Sequence, residues 1–449
     1  MTLLKIKNTY DIKISGKPDS KLLNVGENDV LAVLPSSISF IKPKLCIKKG
    51  AFVKCGEPIF YDKQDPRIVF VSPAAGEVKD IQYGPKRIIE RVLIKPDDSV
   101  DSVSHTALSI DQIQKSSRED IVNAITSGGL WGVFQEFPFR RIPSPDVVPP
   151  QIIVRLGNDE PHHPCPSVYL HDKESLFEAG LSALKQVCDN IIISKPISKK
   201  IPSSIDSLVT HHVKGHYPAN QIGTILYHTK TDVAQNASWG IDGQDLIRIG
   251  QLLLSGTYPS KRVVVVAGPL SSEPCHVSVN EGISIELLLS ATNQVISESP
   301  RYIAGGVFQG RKTSRECFLG FSDDALHIIQ EGKPPELLSF FRLGFDKPTY
   351  SRTYFSALMS NVNWNMNTSL NGGNRSCISC GKCVSVCPVG IYPQLLMKSI
   401  YANDVEESMK LGLLDCMNCG LCTYVCPSKI NLDTLISGMQ SKLEKETRS

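Results

Sequence analysis

The sequence predicts a multidomain chain of α/β and α+β units that ends in an α-helical unit. Three observations carry this. At 449 residues the chain exceeds what a single hydrophobic core holds, roughly 250–300 residues. Its texture changes along its length: short Val- and Ile-rich runs broken by Gly and Pro, then apolar strands alternating with amphipathic helices, then apolar residues at helical spacing. Near the end, the pattern C-x2-C-x2-C-x3-C-P occurs twice, at Cys377, Cys380, Cys383, Cys387 and at Cys416, Cys419, Cys422, Cys426.

Residues 1–100 read as short strands, "VLAVLPSS", "KLCIKKGAFVKCGEPIFYD", "IVFVSPAAGEVKDIQYG" and "RIIERVLIKP", joined by turns at Gly50, Gly56 and Gly76. Their order resembles a lipoyl/biotinyl hammerhead, a barrel-sandwich of β-strands. "YDKQDP" places Lys63 near the hairpin tip that a lipoyl domain would modify, but nothing else implies an acyl carrier, so the module reads as structural. Residues 101–252 follow. "SIDQIQKSSREDIVNAITSGGLWG" reads as helix ending at Gly128 and Gly129, "PQIIVRLGND" as a strand opening into a loop, and "KESLFEAGLSALKQVCDNIIISKP" as an amphipathic helix running into a strand. That order predicts a Rossmann-like α/β unit with a mainly parallel sheet. Residues 253–335, from "KRVVVVAGPLSSEPCHVSVNEGISIELLLSA", predict two strands and a short helix and resemble the β-grasp (SLBB-like) module of electron-transfer flavoproteins. Residues 336–375 form a connector whose end is rich in Asn, Gly and Ser. Residues 376–449 hold the cysteine runs.

Composition narrows the classes. Hydrophobic residues at 41% and charged residues at 21% are ordinary for a globular protein. A net charge of +3 gives no case for nucleic acid. No run of about 18 apolar residues occurs and "MTLLKIKNTYDIKISGKPD" has no signal-peptide core, so the expectation is a cytosolic chain without a spanning segment. Fourteen cysteines in a reducing compartment, eight of them in matched runs, point to metal sites rather than disulfides. The other six (Cys46, Cys55, Cys165, Cys188, Cys275, Cys317) read as small buried hydrophobes.

A [4Fe–4S] cluster needs four converging thiolates, and C-x2-C-x2-C supplies three from one tight loop whose amides can bond the cluster sulfides. Zinc takes C-x2-C pairs too, but a third cysteine two residues on crowds a tetrahedron. In two-cluster ferredoxins the fourth cysteine, before proline, serves the other cluster. The expected sets are therefore Cys377, Cys380, Cys383 with Cys426, and Cys416, Cys419, Cys422 with Cys387. The spacer "YPQLLMKSIYANDVEESMKLGLL" and the tail "NLDTLISGMQSKLEKE" carry apolar residues at helical spacing, so this is the α-helical dicluster kind of ferredoxin. Gly381 and Gly420 let the loops pass close to the clusters, and Pro388 and Pro427 turn the chain away.

In this order the modules resemble the NqrA/RnfC family over nearly the whole chain. Its two branches are the NqrA component of the Na+-translocating NADH:quinone oxidoreductase (Nqr) and the RnfC component of the Rnf complex. In RnfC, and in related NADH-oxidising flavoproteins, a loop G-x-G-G-x-G-F-P-T wraps FMN and NADH phosphates. The matching segment here, "SGGLWGVFQEFPFRRIP", keeps Gly128, Gly129, Gly132, Phe137 and Pro138 but is interrupted by Trp131 and Phe134. A second signature, N-G-A-E-x-E-P, corresponds to "LGNDEPHHP", which keeps Asn158 and Glu160. The resemblance implies Gly128, Gly129, Gly132, Asn158 and Glu160 as a degenerate flavin or nucleotide site. The same erosion, with "SFFRLGFDKPTYSRTYFS", is similar to NqrA, whereas typical NqrA chains have largely lost the ferredoxin cysteines kept here. The resemblance implies a peripheral electron-transfer subunit on the cytoplasmic side of the bacterial inner membrane, with membrane subunits and quinone as partners and with sodium moved by those subunits. The alternative it implies is an Rnf-type electron-entry subunit binding FMN and NADH. His162, His163 and Cys165 in "PHHPC" could form a metal site but read as surface or loop residues, as do His211, His212 and His216 in "HHVKGHYP", where an i, i+4 pair of His212 and His216 could share a helical face although Gly215 and Pro218 count against the helix. Arg342, Lys347, Tyr350, Arg352 and Tyr354 could meet a quinone head group or a partner, or line a solvated connector.

Overall fold

The structure is a computed structural model. It describes residues 2–26, 29–97, 99, 101–296, 299–332, 341, 343–345, 347, 354–359, 362–370 and 372–448. Arg342, Tyr350 and Arg352 lie outside the described residues.

Two small antiparallel sheets face each other near the N-terminus. One orders Leu31–Val33, Ile89–Pro96, Gly76–Tyr83 and Phe52–Val53; the other orders Pro43–Leu45, Pro58–Asp62 and Val69–Val71. Short β-branched runs divided by turns cannot bury a face alone, so the sheets close over Val53, Ile59, Phe60, Phe70, Val78, Val92 and Ile94. Lys63 is exposed just after Pro58–Asp62.

The next sheet runs Thr2–Lys5, His211–Lys214, Ile191–Pro196, Ile152–Arg155, Trp239–Asp242, Gln135–Glu136, and only its last pair is antiparallel. Ile152, Ile153, Val154 and Arg155 are all buried, the mark of a strand covered on both faces. Ile152 and Val154 meet the helices Glu174–Val187 and Gly243–Ser255, while Ile153 meets Ile222–Thr229. The two long helices touch backbone to backbone: a Cβ on Gly180 would lie 2.4 Å from the Leu246 carbonyl oxygen, and one on Gly250 would strike that of Leu176. Strand order reverses between Ile152–Arg155 and Trp239–Asp242, where open α/β sheets leave a crevice at the strand C-termini.

With the two facing N-terminal sheets counted together as one barrel, the third sheet orders Arg311–Thr313, Pro300–Ala304, Ala325–Gln330, Lys261–Ala267, Cys275–Asn280 and Leu22–Asn24, covered by the helix Ile285–Ala291. The C-terminal unit is helical, with Pro393–Tyr401, Val405–Lys410 and Leu432–Arg448 around Val389, Leu396, Leu413 and Ile436.

Three expectations change. The strands Thr2–Lys5 and Leu22–Asn24 leave the N-terminal barrel for the second and third sheets; an alternating run predicts a strand but not the sheet it joins. The helix expected before Gly128 is two helices, Ile110–Lys115 and Arg118–Ser127, each opened by its own capping box at Ser109 and Ser117. Of the six scattered cysteines, Cys188 and Cys275 are buried while Cys46 is exposed.

Candidate metal centre

Both cysteine runs fold the same way. The second residue after the first cysteine, Ser379 or Asn418, is left-handed at φ 53° or 52°, and Gly381 and Gly420 follow at φ 73° and 75°. The glycines hold a conformation in which a Cβ is strained, and each opens a one-turn helix, Lys382–Ser385 or Leu421–Tyr424. The twin loops thereby turn their sulfurs inward.

Two cavities result. One, of about 370 Å³, is lined by Cys377, Cys380, Cys383 and Cys426; the other, of about 380 Å³, by Cys416, Cys419, Cys422 and Cys387. Each takes three cysteines from one run and the fourth from the other. Among the described residues no three His, Cys, Asp or Glu side chains converge closely enough for one metal ion. Four thiols around an open volume suit a polyatomic cluster better than zinc, whose sulfurs must lie about 2.3 Å from one centre. Burial pushes the Cys383 and Cys416 thiols up to about 11, and raises Cys387, Cys419 and Cys422 as well. Unaided, such thiols stay protonated; positive metal centres are what would let them ionise. In the first loop a backbone amide favours the thiolate, Ser379 N–H donating to Cys377 Sγ at 3.5 Å; in the second, the Cys416 thiol donates to Asn418 Oδ1 at 3.5 Å.

The surroundings differ. The first cavity faces outward, with Cys380 exposed and Ile378 67% exposed. The second faces the body. Its loop carbonyls accept from Tyr217 Oη (to Cys419, 2.8 Å), Asn8 Nδ2 (to Cys387, 3.2 Å), His228 Nε2 (to Pro388, 2.9 Å) and the Arg140 guanidinium (to Met417). Lys230 pairs with Asp415 at 2.7 Å. Tyr217 stacks on Phe308 at 5.1 Å, and Phe308 meets Tyr424 edge-on at 5.0 Å, so an aromatic seam closes the join.

The degenerate loop is packed. A Cβ on Gly129 would lie 2.5 Å from Val71, one on Gly132 2.7 Å from Phe70, and one on Gly128 would strike Leu252. Trp131 and Phe134 are fully buried against Trp239. Gly129 and Gly132 permit close approach of the N-terminal barrel, and Gly128 that of the helix Gly243–Ser255. Asn158 Oδ1 accepts from Glu160 N at 3.0 Å and Gln221 Nε2 at 2.7 Å, and the residue borders a polar cavity of about 290 Å³ with Tyr169, Asp242 and Arg262. Glu160, 3% exposed, accepts from Phe308 N at 2.6 Å and Gln309 N at 3.2 Å. Its carboxylate occupies an anion cradle of the third sheet's glycine loop: a Cβ on Gly306 would strike it.

The histidines are tied internally. His163 pairs with Asp324 at 2.9 Å and lies 3.5 Å from Glu160; burial alone would lower it, but the two carboxylates raise it to about 10. Burial would raise Asp324, but His163 holds it down to about 2. His162 bonds Ser15 O at 3.0 Å, and His211 and His212 lie on the strand His211–Lys214, which His216 follows, so no helical pair forms. Sequence reasoning missed Arg140, Tyr217 and Asn8. Each lies more than 190 residues from the loop it holds, and only the doubled arginine after "FPF" marks the place.

Comparison with known proteins agrees with this arrangement. The description "4Fe-4S dicluster domain" matches residues 376–430, behind an α/β body, which makes the chain an iron–sulfur subunit of an oxidoreductase. "NqrA N-terminal barrel-sandwich hybrid domain" matches residues 4–97 and "NqrA second alpha/beta domain" matches residues 116–258. The NqrA component of the Na(+)-translocating NADH-quinone reductase of Vibrio atlanticus is 30% identical over 415 residues, that of Marinomonas sp. 29% over 414, and that of Pasteurella multocida 30% over 415, each covering 92% of both chains. The chain belongs to the NqrA family of Na(+)-translocating NADH-quinone reductase subunits.

Proposed function

We propose that the chain is the peripheral electron-transfer subunit of a membrane-bound Na+-translocating NADH:quinone oxidoreductase, on the cytoplasmic face of the bacterial inner membrane, and that it contributes to quinone reduction. The observation that carries this reading is the pair of four-cysteine cavities, one outward and one whose loops are bonded to the body. We assign Cys377, Cys380, Cys383 and Cys426 to one [4Fe–4S] cluster and Cys416, Cys419, Cys422 and Cys387 to a second. Bound clusters supply one-electron transfer. The protein's part is to hold the thiolates, to offer the Ser379 amide to Cys377, and to line the second cavity with apolar side chains such as Val386 and Leu421.

The strand order around Ile152–Arg155 supports a Rossmann-like ancestry for the α/β unit, and the third sheet with its one helix supports an SLBB-like β-grasp. The packed Gly128–Gly132 loop and the carboxylate of Glu160 weigh against FMN and NADH as ligands of this chain, and with them against the Rnf-type reading. We assign sodium movement to membrane subunits; among the described residues no helix is long and apolar enough to cross a membrane.

The test is anaerobic purification with iron, sulfide and flavin analysis, followed by titration with NADH and with a quinone. The expected result is two clusters per chain, no flavin, and no direct bleaching by NADH. Bound FMN with NADH-driven bleaching would replace this function with the Rnf-type one.

A further inference from the structure

The two cysteine loops share a backbone course, which makes a difference in what their carbonyls meet informative. The peptide in question follows the residue after the first cysteine: in the first loop its N–H, that of Ser379, donates to Cys377 Sγ at 3.5 Å, and in the second it joins Met417 to Asn418, both of which line the cavity. The carbonyl of that same peptide belongs to Ile378 in the first loop and to Met417 in the second. Ile378 is 67% exposed, and among the described residues no side chain donates to its carbonyl. The Met417 carbonyl instead accepts from Arg140. The guanidinium thereby polarises the peptide that follows Cys416. Among the described residues Arg140 pairs with no carboxylate, and the Met417 it bonds lines the cavity of Cys416 and Cys419. Arg140 stands at the end of the segment "FQEFPFR", the part of the chain that follows the packed glycine loop.

We infer that Arg140 is a positioning residue that raises the reduction potential of the body-facing cluster, acting through the Met417–Asn418 peptide on Cys416, and that it leaves the outward cluster unaffected. The inference rests on the two-cluster reading above. A thiolate-ligated cluster gains negative charge on reduction, so a fixed cation and the peptide it polarises both favour the reduced form. Burial acts the other way, disfavouring the more highly charged state, and Arg140 offsets it. The outward cluster gains stabilisation from solvent, and its neighbouring guanidinium, Arg375, is exposed and donates to the Pro427 carbonyl at 3.3 Å, beside Cys426, not to the Ile378 carbonyl.

The experiment is an EPR-monitored redox titration of the anaerobically purified full chain. R140Q is compared with the unaltered protein in two backgrounds that each retain one cluster: Cys380→Ser, which keeps the body-facing cluster, and Cys419→Ser, which keeps the outward one. In the first background R140Q is expected to lower the reduction equilibrium constant at least tenfold, about 59 mV for one electron; in the second it changes nothing. R140K keeps the charge and loses the planar fork, so its effect falls between. Should R140Q shed its iron, R140K is titrated instead: a fall of twofold to tenfold confined to the body-facing cluster supports the inference, and no fall overturns it. An unchanged potential in R140Q, or equal shifts in both backgrounds, also overturns it. Absence of clusters from the unaltered chain would instead sink the two-cluster reading itself, a result visible in the iron analysis before any titration.

Discussion

Replacing Cys387 with serine tests the crossed arrangement most directly. Cys387 is 7% exposed and packs with Val389, Ile391, Leu396, Leu413 and Ile436, yet it lines the cavity of the second run. Two losses should follow. The second cavity keeps three of its four thiolates, so iron per chain falls by about half while the outward cluster stays. A serine hydroxyl among those apolar side chains costs a further ~1–3 kcal/mol if it finds no partner. Cys387→Ala removes the same ligand without burying a hydroxyl, so the stability difference between the two variants isolates that cost. Cys426, half-buried, lines the first cavity with Cys377, Cys380 and Cys383. Cys426→Ser should therefore remove the outward cluster and carry a smaller packing cost. Iron and sulfide analysis reads the first effect, EPR of the dithionite-reduced protein assigns it, and a thermal melt reads the second. If Cys387→Ser erased the signal that Cys380→Ser also erases, each run would serve its own cluster and the crossed sets would be wrong.

Two further substitutions probe the body. Gly129→Ala places a Cβ at φ 74° and 2.5 Å from Val71, so urea melts should show a loss above ~1 kcal/mol; a change within a few tenths would mean the barrel yields there. Asp324→Asn leaves buried His163 with Glu160, 3.5 Å away, as its one carboxylate among the described residues, at a cost of about 3–5 kcal/mol near neutral pH. The sign with pH follows from His163, whose folded value of about 10 exceeds its ordinary 6.5: its contribution is whole below pH 6.5 and is lost as pH rises towards 10. The unaltered protein should lose stability across that window, and Asp324→Asn should show a flatter profile; a parallel slope would exclude the pair as its source.

How much of this could be read from the chain depends on how local each cause is. The cysteine spacing, the amphipathic helix before "NIIISK" and the unbroken apolar run at Ile152–Val154 are patterns a few residues long, and each declares its own element. The serine pair at 116–117 hid a helix break, because Ser117 reads equally as a helix surface residue and as an N-cap. The glycines 128, 129 and 132 were legible as a demand for close approach, but sequence does not name what approaches, and Val71 and Phe70 fill the place. Arg140 was illegible for the same reason on a longer scale: its partner, Met417, is brought near only when the helical unit docks.

The first two dozen residues join sheets whose other strands are made much later. Thr2–Lys5 pairs with His211–Lys214, Leu22–Asn24 with Cys275–Asn280, and Asn8 reaches Cys387. On a ribosome adding about 5–20 residues per second, the partner of the first strand emerges on the order of ten to forty seconds after it, and that of Asn8 later still. Until those partners emerge the segment trails as an unpaired edge. When it closes it draws the two sheets and the iron-binding unit onto one thread, so a nascent chain lacking its final hundred residues pairs both strands and still leaves Asn8 waiting for the Cys387 carbonyl.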